Sequence, residues 1–359
     1  MLPILYLLLC IVAVSFADDC LPSITTASGS SAPQKICSGQ LIFEENFDSL
    51  NKEIWKPLST FSDGGNKEFQ WYVADDENSF AMDGKLHIKP TLAADKIGSD
   101  AVESGYIHLD DCTDSNNANC ERQAGGNIII NPVRSARLTT GSSFSFKYGR
   151  LEVIAKLPLG ELLWPGPAVW LLPTGWRYGG WPRSGEVDLF EARGNIKYGN
   201  DVQIGVEQIG MRIHYGPNWD KKASQGYEKN NAAGFHSGFH KYEYLWDETG
   251  VRFLLDGSQI GHVPVADGFW KRGGFDGENI WASATKMAPF DQEFHLIINL
   301  AVGGTFFPDV NYQNGPRPWT NNWATAMKEF WTNRNQWLPS WENREKSSLQ
   351  VDSVKVWAI

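Results

Sequence analysis

The chain predicts an all-β fold, an antiparallel sandwich or barrel, on three observations. Short alternating or β-branched runs recur along it, separated by clusters of glycine, aspartate and asparagine. Asp256-Gly257 directly follows the apolar run Val251-to-Leu255, which reads as a tight hairpin. Only one segment has good helical spacing, Trp323 to Trp331, with Ala324, Met327, Phe330 and Trp331 on one face.

In chain order, residues 1–17 (MLPILYLLLCIVAVSFA) are apolar and carry no charged side chain, and they end in Ser15-Phe16-Ala17. Small residues at the first and third positions before a cut are what a signal peptidase reads, so a cleaved signal peptide and a secreted protein are expected. The run is too short to favour a membrane span, and the C-terminus lacks the apolar tail of a lipid-anchor signal. Cleavage removes Cys10 and leaves Cys20, Cys37, Cys112 and Cys120. An even number in a secreted chain implies two disulfides with three possible connectivities, of which the local pairs Cys20–Cys37 and Cys112–Cys120 are expected. No His or Cys pair has zinc-finger spacing, and His236 and His240 sit in a glycine-flanked, poorly helical stretch. No Asn-x-Ser/Thr sequon occurs.

After a leader at 18–40, the expected strands include Lys85-to-Lys89, Asn127-to-Ile130, Tyr148-to-Lys156, Tyr242-to-Trp246, Val251-to-Leu255, His295-to-Val302 and Gln350-to-Trp357. Length alone suggests one large or two ordinary domains. The last of these runs reads as a buried strand at the very end of the chain, so a single domain over 41–359 is preferred. The 359 residues are 42% hydrophobic and 21% charged, enough to bury a large core. A balance of 32 Lys+Arg against 42 Asp+Glu, net -10, disfavours nucleic acid and an anionic membrane surface as partners. The sixteen tryptophans suit either an aromatic core or a surface that stacks flat apolar ligand faces.

The segment that carries chemistry is Trp181-Pro-Arg-Ser-Gly-Glu186-Val-Asp188-Leu-Phe-Glu191. On a strand Glu186 and Asp188 share one face, and Glu191 falls on the other unless an extra residue is accommodated. A β-bulge near Phe190 returns Glu191 to the face of the other two acids. An arbitrary E-x-D-x-x-E is more often a solvated outer face, but here a tryptophan and glycines precede the acids and apolar residues interleave them. Paired carboxylates about 5–5.5 Å apart serve double displacement at a sugar anomeric carbon, one attacking and one protonating the leaving oxygen. Asp188 between them would help keep that acid protonated. No G-x-S-x-G, H-E-x-x-H, P-loop or G-x-G-x-x-G in strand–helix context competes with this reading.

These residues resemble the active-site strand of glycoside hydrolase family sixteen, in its laminarinase form with the bulge. Asn66-Lys-Glu-Phe-Gln-Trp-Tyr72, Ser135-Ala-Arg-Leu-Thr139, Phe146-to-Val153, Ala168-Val-Trp-Leu-Leu-Pro173, Phe294-to-Gly304 and Val351-to-Trp357 are similar to family blocks in the same order. The resemblance implies a jelly-roll β-sandwich of two curved antiparallel sheets with substrate along the concave face. It implies retaining hydrolysis of internal β-1,3-glucosidic bonds, with Glu186 as nucleophile, Asp188 as assisting acid and Glu191 as general acid/base. It also implies that Trp181 stacks on sugar, that Arg137 and His214 bind substrate, and that Trp170 and Asn299 border the cleft. Trp170 could equally face the core, Arg137 the open surface, and His214 could be a core histidine. Asp352 and Glu45 resemble positions near a calcium site of some members; no cofactor is expected for catalysis. A monomer acting on β-1,3-glucan polysaccharide is expected.

Two readings follow, an endo-β-1,3-glucanase and a non-catalytic β-1,3-glucan-binding recognition protein. All three acids are present, whereas the sensors commonly lose one or both glutamates, and the residues before Leu41 leave no room for a separate glucan-binding module. Both features favour the enzyme.

Overall fold

Along the strand Gly149–Lys156 the side chains alternate strictly, with Gly149, Leu151, Val153 and Ala155 buried and the residues between them partly exposed. This period of two, repeated in neighbouring strands, makes one face of each sheet apolar and drives two sheets together. The computed structural model describes residues 20–164, 169–320, 322–343 and 345–359. The expected signal peptide lies outside the described residues.

The first sheet is built around β1 (Arg137–Thr139), β2 (Val169–Pro173), β3 (Glu186–Ala192), β4 (Gln208–Tyr215), β5 (Ala223–Asn230) and β6 (Phe294–Asn299). Its order is Thr26–Ser28, Ser145–Lys147, β6, β2, β3, β4, β5, with β1 also pairing with β6. The second sheet runs Ser258–Pro264, Gly250–Leu255, His240–Asp247, Gly149–Lys156, Leu349–Trp357, Lys85–Ile88, Ser79–Met82, and Leu41–Glu45 pairs with Leu349–Trp357. All pairings within both sheets are antiparallel. Aromatic contacts join the sheets: Phe190 of β3 lies 4.1 Å from Tyr242, and Trp246 lies 5.5 Å from Phe294 of β6. The indole N–H of buried Trp246 donates to the Phe290 carbonyl at 3.0 Å, so this inter-sheet tryptophan is buried with its donor satisfied.

Both expected disulfides form, Cys20–Cys37 and Cys112–Cys120. The leader is part of the sheet rather than a loose tail. Thr26–Ser28 pairs with Ser145–Lys147, and the Ile24 amide donates to the Ile359 carbonyl, joining the two ends of the described chain.

Three expectations are corrected. Asn127-to-Ile130 is not a strand: Gly126 takes a left-handed φ of 61° and Gly125 bridges Ile128, so the apolar run is a turn that tucks Ile129 and Ile130 inward. The run His295-to-Val302 breaks at Leu300 into β6 and the short strand Ala301–Val302. The helix begins later than its spacing suggests, at Ala326–Thr332; it buries Phe330 and Trp331 and leaves Ala324 outside and exposed. No described helix is long and apolar enough to cross a membrane.

Candidate active site

Strand β3 carries the three acids, and its pairing shows how they come to share a face. Glu186 lies opposite His214 and Asp188 opposite Arg212, but Glu191 is next in register, opposite Gly210. The irregularity between Asp188 and Glu191 is the bulge, and it lets Leu189 and Phe190, adjacent in sequence, both point into the core with no exposure. The acids therefore emerge together on the outer face of the first sheet.

They line a cleft of about 1030 Å³ whose walls include Arg137, Trp170, Trp181 and His214, so every cleft residue singled out in the sequence except Asn299 reaches it. Trp181 donates its indole N–H to Glu186 Oε2 at 2.5 Å. His214 Nε2 lies 3.0 Å from Asp188 Oδ2. Arg212 Nε lies 3.0 Å from Glu191 Oε2, and its Nη2 reaches Glu228 of β5 at 2.8 Å. Glycines make room for that guanidinium. A Cβ at Gly226, opposite Arg212, would come within 2.5 Å of the Arg212 Cβ, and one at Gly210 within 3.3 Å of Nη2.

Burial pushes the carboxyls of all three acids up, Glu186 to about 8 and Asp188 and Glu191 each to about 7. The Asp188 charge adds to the rise at both glutamates; His214 and the Trp181 N–H oppose it at Glu186, and Arg212 opposes it at Asp188 and Glu191. Like charges this close do not all ionise at neutral pH, so the trio holds protons and titrates as one coupled group. A protonated carboxyl beside an ionisable one is the pairing that acid-assisted displacement requires.

One cleft wall is an aromatic and amide network. The Arg137 guanidinium lies 4.4 Å from the Tyr72 ring and 5.4 Å from the Trp170 ring, and its Nη2 donates to Tyr72 Oη at 3.2 Å. Trp170 donates to Asn299 Oδ1 at 2.7 Å, and Asn299 donates onward to Tyr72 Oη at 3.3 Å. Asn299 shares the sheet face of Arg137, its partner across β1 and β6, but the Trp170 indole bonded to it covers it, so it lies fully buried behind Trp170 rather than lining the cleft, a correction. Tyr72 also donates to buried Glu68, which closes the network.

Sequence reasoning assigned no role to Arg212, Trp176, Trp219, Lys222 or Glu68, all of which line the cleft. Glu68 stands inside a run that resembles a family block and Arg212 two residues before His214, but neither position says what its charged side chain faces. Four tryptophans, Trp170, Trp176, Trp181 and Trp219, line the cleft among the described residues.

At Glu45 and Asp352 the described side chains do not by themselves assemble a metal cage. Glu45 Oε1 accepts the Phe47 amide at 3.0 Å, and no group of three His, Cys, Asp or Glu side chains able to hold a metal is assembled among the described residues.

Residues 109–273 match the family described as Glycosyl hydrolases family 16. The Beta-1,3-glucan-binding protein of Penaeus monodon is 43% identical over 339 residues, spanning 89% of this chain and 90% of that protein. Beta-1,3-glucan-binding protein 1 of Galleria mellonella is 35% identical over 347 residues, spanning 94% of this chain and 68% of that protein. Among solved structures, the laminarinase from Rhodothermus marinus superposes with a TM-score of 0.57 at 24% identity, covering 89% of this chain and 98% of that one, a likeness of fold.

Proposed function

The chain belongs to glycosyl hydrolase family 16, and from that premise we propose that it is a secreted protein that binds β-1,3-glucan in this cleft and hydrolyses its internal bonds with retention of configuration. Glucan binding is supported by the names of the Penaeus and Galleria proteins and by the tryptophans of the cleft. The two disulfides suit an oxidising, extracellular compartment. In this reading residues 41–359 form the glucan-handling domain.

Hydrolysis rests on one observation: the β3 bulge sets Glu186, Asp188 and Glu191 on one cleft face. In its ionised form, which His214 and the Trp181 N–H on Oε2 favour, Glu186 attacks the anomeric carbon through its other oxygen. Glu191 gives its proton to the departing glycosidic oxygen, and a covalent glycosyl ester forms. Glu191 then takes a proton from water, the water oxygen attacks the anomeric carbon, and Glu186 leaves as carboxylate. Asp188 disfavours a second charge nearby, and His214, close to its carboxylate, orients it.

A second reading, glucan recognition without turnover, is favoured by the relatives' names and by one contact. Arg212 sits against the Glu191 carboxylate, where it favours the ionised form that cannot act as an acid.

The test is product analysis on laminarin. New reducing ends of β-configuration, abolished in Glu186→Gln while laminarin binding persists, support the hydrolase. Laminarin binding with no new reducing ends at any pH from 4 to 9 assigns the chain to recognition alone.

A further inference from the structure

The cleft extends past Glu186 onto a feature that plays no part in the displacement chemistry. The loop between β4 and β5 carries Trp219, which at 58% exposure is far more open than a large apolar side chain ordinarily is in a folded domain. The loop around it is fixed. Asn218 Oδ1 accepts the amides of Asp220 and Lys221 at 3.1 and 2.9 Å, and the Gly216 amide donates to the Pro182 carbonyl at 3.2 Å, tying the loop to the segment that carries Trp181. Only glycine closes it, because a Cβ at 216 would lie 2.4 Å from the Lys221 carbonyl oxygen.

The Trp219 and Trp181 rings stand 4.8 Å apart, tilted by 54°, so the two indoles open like a V. The Lys222 ammonium lies over both, 3.9 Å from the Trp219 centroid and 5.2 Å from that of Trp181. In a chain with a net charge of -10, no carboxylate among the described residues lies within ion-pair distance of Lys222. An exposed, rigidly held indole beside an ammonium with free donors suits a neutral hexopyranose: its C–H face stacks on the ring and its hydroxyls accept from nitrogen.

We propose that Trp219 and Lys222 form an additional sugar subsite, occupied by a hexopyranose unit of the bound glucan that lies beyond the unit at Trp181. This inference rests on the reading of the cleft as a glucan site. Trp181 donates to Glu186, so it belongs beside the reacting bond, and Trp219 is one ring further out. The subsite therefore acts on chain length: short oligosaccharides fill the cleft without reaching it, and longer chains gain affinity from it.

The experiment is calorimetric titration of Glu186→Gln protein, which removes turnover, with β-1,3-linked gluco-oligosaccharides of two to seven units. Trp219→Ala in that background is expected to leave di- and trisaccharide affinity within about twofold and to weaken hexasaccharide binding about tenfold, the size of one lost aromatic contact. Lys222→Met is expected to do the same more weakly, and Trp219→Tyr to restore most of the loss. Trp219 is exposed, so the variants should melt like their parent. Equal affinity at every length, or the same loss at every length, overturns the subsite. Failure of the parent protein to bind any length overturns the glucan reading itself, and the subsite with it.

Discussion

Arg212 Nε lies 3.0 Å from Glu191 Oε2 while the same guanidinium holds Glu228 at 2.8 Å. Two carboxylates from strands on either side of β4 thus share one cation, and one of them is the proposed proton donor. Burial and the Asp188 charge press Glu191 towards its protonated form, and Arg212 presses the other way. The balance between them sets how readily Glu191 holds a proton, which the proposed hydrolysis needs.

Removing the guanidinium should therefore move a pH profile. Arg212 stabilises the Glu191 anion, so Arg212→Thr raises that carboxyl further above its present value of about 7. A general acid works below its pKa, so the alkaline limb of kcat/KM on laminarin should shift upward, by about one pH unit for a close charge partner. An aryl glucoside whose leaving group needs no proton should show no such shift. An unchanged alkaline limb on laminarin would show that Arg212 does not act through Glu191.

The same burial makes stability depend on pH. Asp188 is 1% exposed, and its folded carboxyl is raised to about 7 from an ordinary value of 3.8. A group raised on folding contributes stability that is complete below its unfolded pKa and is lost as pH rises through the folded value. Asp188→Asn should thus melt close to wild type at pH 4 and several degrees higher at pH 8. A tenfold change in a protonation equilibrium corresponds to about 1.4 kcal/mol, and roughly 2 °C per kcal/mol is reasonable for a domain of this size. His295, buried and pushed down to about 4, destabilises on the acid side in both proteins and cancels in the comparison. Parallel melting curves across that pH range would refute the assignment.

Alternation and turn chemistry made the sandwich and the acidic face legible. Period two places Glu186 with Asp188, and one inserted residue brings Glu191 round. Registers between distant strands were not legible. Arg212 meets Glu191 rather than Asp188, its cross-strand partner, only because the bulge shifts β3 against β4 and glycines at 210 and 226 leave space. Trp219 lies 38 positions after Trp181, and no local pattern reports that a loop folds back over it. Asn127-to-Ile130 misled for the opposite reason, since its apolar run is strand-like while the preceding Gly125-Gly126 forces a turn.

The Cys20–Cys37 bridge fastens the segment that contributes Thr26–Ser28 to the first sheet. With a sequence separation of 17, closing this loop restricts the unfolded chain by about 3 kcal/mol on the chain-entropy account. Cys20→Ser with Cys37→Ser should lower denaturant stability by about that amount. Thr26–Ser28 pairs only at the sheet edge, so limited proteolysis should cut first near residues 20–40. Cleavage elsewhere first would show that the leader is held by its hydrogen bonds to Ser145–Lys147 and Ile359 without help from the bridge.

The bulge itself yields the sharpest test of how β3 works. In a regular strand positions 186, 188 and 190 share a face, so deleting Leu189 lets Phe190, already in the core, take the core-facing place of residue 189 and puts Glu191 in the place of residue 190. All three acids then still face the cleft, at the cost of one buried leucine, about 3 kcal/mol. Deleting Val187 instead leaves Glu186 and Asp188 adjacent and therefore on opposite faces, with one carboxylate driven against the core. The Leu189 deletion should fold, bind laminarin and retain a weakened but measurable release of reducing ends. The Val187 deletion should lose both stability and activity, because an unpaired buried carboxylate costs several kcal/mol. Circular dichroism melts and reducing-end assays on the pair decide the matter. If the two deletions behave alike, the extra residue is not what turns Glu191 to the cleft, and the grouping of the acids must come from the neighbouring strands.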